Sequence, residues 1–159
     1  MKHFSMTSGS AILAGVVLGI AASDPARAAD KAPPVYACQG FAEPMHRANI
    51  QIGRGRVLPL RARLALPDGS FGEDLKSAPM ISLKYRPESG REVDKTAGLE
   101  VRDYGKGNRF VFDKEAHWKF DLGTGNLKDD GTYVVSLLSG DEKEYRVDPA
   151  CSLVFLLAP

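Results

Sequence analysis

The sequence predicts an all-β, antiparallel sandwich of short strands that follows an N-terminal signal peptide. Two observations carry the strand prediction. Apolar and polar residues alternate with a period of two in several segments, and turns rich in glycine, proline and aspartate separate those segments. After residue 34 no window of ten residues shows helical periodicity. With 43% hydrophobic and 26% charged residues, the 159-residue chain is expected to bury one core in one domain.

The first 28 residues have the pattern of a secretory signal peptide. A polar start containing Lys2 precedes a small-apolar run over residues 11–22, and Ala26-Arg27-Ala28 provides an A-x-A cleavage site. A membrane span needs about 20 apolar residues, and Pro25 lies just beyond the end of this shorter run. We therefore expect a bacterial protein exported to the periplasm or the extracellular space, with no transmembrane span after signal removal.

The mature chain is predicted to be electrically neutral. Residues 29–49 are expected to form a leader and N-terminal segment, and residues 50–159 the sandwich. Removing residues 1–28 takes away Lys2, Arg27 and Asp24, so the net charge falls from +1 to zero. A neutral domain does not attract nucleic acid through bulk charge, so no nucleic-acid partner is expected.

The two cysteines of the chain, Cys38 and Cys151, both lie in the mature part. In an exported domain this pair predicts one disulfide that ties the two ends together. The alternative is two buried thiols. No C-x-x-C motif is present, so the sequence gives little support to a thioredoxin-like redox role.

The strands are predicted from their alternation. The first long strand places the leucines of residues 58–66 on one face and Arg61 and Arg63 on the other, and Pro67-Asp68-Gly69 ends it. Residues 132–138 are apolar on both faces, which indicates a central strand. A turn at Ser139-Gly140-Asp141 predicts a hairpin that returns towards Tyr145 and Val147, and a final strand is expected over residues 151–157.

Further alternating segments include Ile81, Leu83 and Tyr85; Phe110 and Phe112; and Trp118, Phe120 and Leu122, the last set with His117, Lys119 and Asp121 on its polar side. The apolar faces together define a predicted core. Its members are Leu60, Leu64, Leu83, Phe112, Trp118, Phe120, Tyr133, Val135 and Leu137.

A local motif indicates which kind of sandwich is present. Asp129, Gly131 and Tyr133 form a D-x-G-x-Y pattern at the start of the most apolar strand. In immunoglobulin-like sandwiches a tyrosine at this place hydrogen-bonds to nearby backbone, an arrangement called the tyrosine corner. The alternative is an ordinary buried tyrosine with its hydroxyl at the rim. Val135 stands where antibody domains carry their second core cysteine, so a Cys38–Cys151 bridge would be a different disulfide.

Several motifs together resemble the bacterial PxKF domains. They are Val57-Leu58-Pro59-Leu60-Arg61-Ala62, Asn108-Arg109-Phe110-Val111-Phe112, Trp118-Lys119-Phe120 and Gly131-Thr132-Tyr133-Val134-Val135. At the motif that names the family, this sequence has Arg61 and Ala62 in place of lysine and phenylalanine. The resemblance, over roughly residues 50–157, implies a small secreted immunoglobulin-like module without an assigned activity. The family supplies no catalytic residues to transfer.

The sequence assigns no catalytic, cofactor-binding or metal-ligating residue. The mature chain holds two histidines, His46 in a loop-like region and His117 on the polar side of a strand, and neither belongs to a metal or triad motif. No phosphate loop or cofactor fingerprint is present. We expect a protein that is not an enzyme and needs no cofactor.

Arginines cluster in one part of the chain and form the candidate binding strip. Arg54, Arg56, Arg61 and Arg63 lie close together, and Arg61 and Arg63 share a strand face. This strip could meet an anionic surface polymer or an envelope protein. The alternative is a solvated outer face whose charges are balanced by nearby carboxylates.

The expected function is therefore a secreted or periplasmic, non-catalytic binding or structural module. One alternative is a periplasmic chaperone or envelope-assembly subunit that uses an exposed strand edge. A further alternative is an exported metal-binding protein or enzyme with a loop-built site.

Overall fold

The computed structural model describes residues 32–47, 49–113, 115 and 117–159. The predicted signal peptide lies outside the described residues. Residues 32–159 form one compact unit. Within the described part, no helix is both long and apolar enough to cross a membrane.

Almost all regular structure in the described residues is β-strand, with one short 3-10 turn at Thr96–Gly98. The eleven strands are β1 Val35–Phe41, β2 Ile50–Gly53, β3 Val57–Ala65, β4 Met80–Arg86, β5 Val93–Asp94, β6 Glu100–Val101, β7 Val111–Phe112, β8 Trp118–Gly123, β9 Gly131–Leu138, β10 Arg146–Val147 and β11 Ser152–Ala158.

The strands form two sheets. The first has the order β10-β1-β3-β8-β6, with β7 also paired to β8, and the second has the order β2-β11-β9-β4-β5. Pairing is antiparallel except for β1 with β10 and β2 with β11. The order β1-β3-β8-β6 facing β11-β9-β4 corresponds to the ABED and GFC sheets of immunoglobulin domains. The predicted all-β immunoglobulin-like sandwich is therefore confirmed.

The strands alternate as predicted because each presents its apolar residues to the space between the sheets. Leu60, Phe120, Leu83 and Val135 are fully buried there. Of the predicted core residues, Phe112 alone is half-buried, since β7 is a two-residue strand at the edge of its sheet. The core also includes Tyr145, Leu153 and Phe155.

The Cys38–Cys151 disulfide is present, with the two Cα atoms 5.2 Å apart. It joins β1 of the first sheet to the residue that precedes β11 of the second sheet. Strand β1 begins ahead of residue 50, the predicted start of the sandwich, and its pairing with β3 places it within the first sheet.

The predicted hairpin after Ser139-Gly140-Asp141 is wrong. β10 does not pair back onto β9; it crosses to the first sheet and pairs in parallel with β1. The side chain of Tyr145 explains the crossing. It is fully buried, and its hydroxyl donates to the carbonyl of Ser77 at 2.8 Å, so Tyr145 packs against the segment that precedes β4 instead of pairing with β9.

Candidate binding surface

The tyrosine of the D-x-G-x-Y motif makes the hydrogen bond that defines a tyrosine corner. The Tyr133 hydroxyl donates to the carbonyl oxygen of Asp129 at 2.8 Å, while the ring is buried against Phe155 at a centroid distance of 5.3 Å. Gly131 has a φ of +133°, a backbone conformation that residues with a side chain rarely adopt, and it packs against the Tyr85 ring. This motif fixes the entry into β9.

The structure divides the four arginines of the predicted strip into two groups. Arg54 and Arg56 lie in the turn between β2 and β3, and Arg54 is bound by the Asp130 carboxylate at 2.5 Å. Arg56 is exposed. Arg61 and Arg63 lie on the outer face of β3, on alternate positions as predicted.

Arg61 is anchored in place. Its guanidinium donates to the Asp121 carboxylate at 2.8 Å and stacks over the Tyr104 ring, with 5.0 Å between the guanidinium carbon and the ring centroid. Asp121 faces outward on β8 yet is only 5% exposed, because Arg61 and Tyr104 lie over it. The backbone N–H of Asp121 donates to the Tyr104 carbonyl at 2.7 Å, which holds the Tyr104 segment on this sheet.

Arg63, two residues along β3, is exposed. Its guanidinium lies over the half-exposed Phe71 ring at 5.5 Å. Within the described residues, Arg63 forms no ion pair. Its positive charge is therefore available to a ligand.

Arg61 and Arg63 line a shallow groove of about 340 Å³, here called the arginine groove. Its other lining residues are Gln39, Gly40, Phe41, Ala42 and His117. The groove lies on the outer side of the first sheet, where the end of β1 crosses the middle of β3. It brings two guanidinium groups, one imidazole and one amide into the same concave surface.

His117 reaches the groove through a short loop between β7 and β8. The Asp113 carboxylate organises this loop by accepting the backbone N–H groups of Glu115 and His117 at 3.0 and 2.9 Å. The other histidine, His46, is exposed, lies 3.9 Å from the Glu43 carboxylate, and is not among the residues that line the groove. The structure thus joins one of the two histidines to the arginines.

Asp113, Glu115 and His117 bring three possible metal-ligand atoms within 4.8 Å of one another. Sequence reasoning did not identify this cluster, although the alternating D-x-E-x-H spacing could have indicated it. The ammonium of Lys119 already contacts the Asp113 carboxylate and lies 3.6 Å from that of Glu115. The Lys119 ammonium therefore pairs with the two carboxylates, and a metal ion would have to compete with it for their oxygens.

Sequence reasoning missed the residues that anchor the groove. Tyr104 lies in a loop with no periodicity, and nothing in the sequence indicates that its ring contacts both Arg61 and Lys119. The ring centroid is 5.0 Å from the guanidinium carbon of Arg61 and 5.2 Å from the ammonium nitrogen of Lys119. The sequence could have indicated the Arg61–Asp121 pair, because both residues fall on the polar side of alternating strands.

No protein-family model matches this chain, and no curated protein sequence matches it. Similar solved structures include the Lin-41 filamin domain, 13% identical with a TM-score of 0.39 over 77% of this chain and 91% of that chain. The RIG-5 IG1 homodimer is 13% identical with a TM-score of 0.32 over 79% of this chain and 96% of that chain. The C. elegans twitchin kinase region is 13% identical with a TM-score of 0.28 over 79% of this chain and 15% of that chain. At these scores the likenesses support no inference about function.

Proposed function

We propose that this chain is an exported immunoglobulin-like module that acts by binding, without catalysis, and that the arginine groove binds anionic groups of a surface polymer. The single observation that carries the proposal is the unequal pairing of two neighbouring arginines. Arg61 is neutralised and fixed by Asp121, while Arg63 is exposed and forms no ion pair in the described part of the chain. The resemblance to PxKF domains, which remains a prediction, points to the same class of protein.

The geometry of β3 suits a repeated anion. Residues two apart on one strand face are separated by about 7 Å along the strand, and the side chains of Arg61 and Arg63 both line the groove. A guanidinium presents its donors as a planar fork that matches carboxylate, sulfate or phosphate oxygens. Because Arg61 is already held by Asp121, less side-chain freedom is lost when an anion binds.

The experiment compares Arg63→Ala with Arg91→Ala on an immobilised sulfated polysaccharide. Arg91 is also exposed and forms no ion pair within the described residues, but it lies between β4 and β5 of the other sheet. Both variants remove one positive charge. We expect Arg63→Ala to weaken binding about fivefold and to elute at lower salt, while Arg91→Ala elutes with the wild type.

Equal weakening in both variants would show that the polymer is bound through the overall charge of the protein and not through the groove.

Arg61→Ala is unsuitable as a test because it removes the cation that pairs with the buried Asp121 carboxylate. Loss of one partner of such a pair is strongly destabilising.

A further inference from the structure

A second groove lies at one end of the sandwich, between the β9–β10 loop and the starts of β1 and β4. It has a volume of about 520 Å³, within the range of ligand sites. Apolar side chains form part of its lining: Val35, Met80, Leu138 and Val147. Leu138 is 42% exposed although it is a large aliphatic residue. We call this the acidic groove because of the charges described next.

Three carboxylates line the same groove against one guanidinium. They belong to Asp141, Glu142 and Asp148, and the guanidinium is that of Arg146. Among the described residues none of these four side chains forms an ion pair. The groove therefore combines an apolar surface with an excess of uncompensated negative charge, opposite in sign to the arginine groove.

The loop that builds this groove is held firmly. The Tyr145 hydroxyl accepts the Gly140 N–H at 2.9 Å and donates to the Ser77 carbonyl, and the Ser139 hydroxyl donates to the Tyr145 carbonyl at 2.6 Å. The Glu144 carboxylate accepts the backbone N–H groups of Lys76 and Ser77 at 2.6 and 3.0 Å. A groove fixed in this way loses little conformational freedom on binding.

A strand from the end of the first sheet contributes to the groove. β10 is the outermost strand of the first sheet, and its single described neighbour is β1. Val147 of β10 lines the groove. An extended peptide can therefore lie beside β10 and place alternate side chains towards the apolar surface and towards the carboxylates.

We propose that the acidic groove binds an extended peptide segment of another protein in which lysine or arginine side chains alternate with large aliphatic ones. The aliphatic side chains would cover Leu138 and its neighbours, and the cations would meet Glu142 and Asp148. Charge complementarity selects this occupant, because an acidic segment of the same shape would be repelled.

The test measures fluorescence anisotropy of a labelled lysine–leucine octapeptide, with a glutamate–leucine octapeptide of the same length as the reference probe. We expect the lysine–leucine peptide to bind saturably with one peptide per chain and at least about tenfold more tightly than the reference. Equal binding of the two peptides, or no saturable binding at millimolar peptide, would overturn the proposal.

Matched variants locate the binding. Glu142→Gln and Asp148→Asn are each expected to weaken the lysine–leucine peptide about threefold to fivefold, whereas Glu88→Gln, at an exposed glutamate outside the groove, leaves it unchanged. Leu138→Ser is expected to weaken it about tenfold, whereas Leu156→Ser, at a leucine 44% exposed outside the groove, leaves it unchanged. If the control variants weaken binding as much as the groove variants do, the peptide binds elsewhere and the assignment is wrong.

Discussion

Tyr133 shows how one side chain joins the fold to a measurable property. Burial of its ring, together with the negative charge of Asp129, raises the pKa of the Tyr133 phenol to about 12. In the unfolded chain this pKa is about 10. Between these values the folded protein keeps a proton that the unfolded chain has released, so the free energy of unfolding must fall as the pH rises through this window.

Tyr133→Phe tests this at the residue scale. The variant removes both the hydroxyl and its hydrogen bond to Asp129, so near pH 7 we expect a loss of about 1 kcal/mol in the free energy of unfolding. Between pH 10 and 12 the variant should lose less stability than the wild type does. Urea unfolding across this range measures both effects, and parallel losses in the two proteins would contradict the account.

Asp121 shows which property of a side chain a sequence pattern does not predict. A period of two placed Arg61 and Asp121 on the outer faces of their strands, and the structure has them there. The burial of Asp121 was not predictable, because it depends on Tyr104, whose loop follows no repeating pattern. Alternation determines the sheet face on which a side chain lies, but the packing of loops over that face determines its solvent exposure.

At the scale of elements, the connection from β9 to β10 is the part that sequence patterns described least well. A Ser-Gly-Asp turn between two apolar segments is typical of a hairpin, and a local pattern contains no information about a distant partner. Here the partner is the 77–78 backbone, which approaches Gly140 so closely that an added Cβ would lie 2.2 Å from the carbonyl oxygen of Ala78. The long strands β3, β4 and β8 were predictable because each has many alternating residues and a buried face, and β9 was predictable because its residues are apolar on both faces.

Gly140→Ala is the corresponding test. Backbone atoms surround the added methyl group and cannot rotate away, so we expect a loss of about 2 kcal/mol or more in the free energy of unfolding. Gly53→Ala, in strand β2 with no atom within 4 Å of the added carbon, is the matched control and should change stability little. Similar denaturation midpoints for the two variants would show that this loop is not docked as described.

At the scale of the whole molecule, the disulfide ties together the two sheets. Cys38 and Cys151 are separated by 113 positions in the chain, so the bond closes a loop that contains most of the domain. In the chain-entropy account such a bond destabilises the unfolded state by about 5 kcal/mol. The double variant Cys38→Ser, Cys151→Ser should show a loss of about this size in chemical denaturation, and a difference below about 1 kcal/mol would contradict a structural role.

The molecule as a whole carries two grooves of opposite charge, one on the outer side of the first sheet and one at the end of the sandwich. The net charge of the sequence, only +1, conceals this separation, which is why composition alone excluded only partners attracted by bulk charge. Sequence patterns predicted the arginine strip but could not predict which of its members would remain free, since that depends on carboxylates brought in from β8 and the turn before β9.

An NMR titration with a sulfated oligosaccharide shows whether the arginine groove is a binding site. Using isotope-labelled protein, we expect saturable shifts confined to the amides of the groove and its neighbours on β1 and β3, including Gln39, Gly40, Arg63 and His117. The amides of residues 138–148 should not move. Shifts spread evenly over the basic residues of the surface, or centred on residues 138–148, would contradict the account.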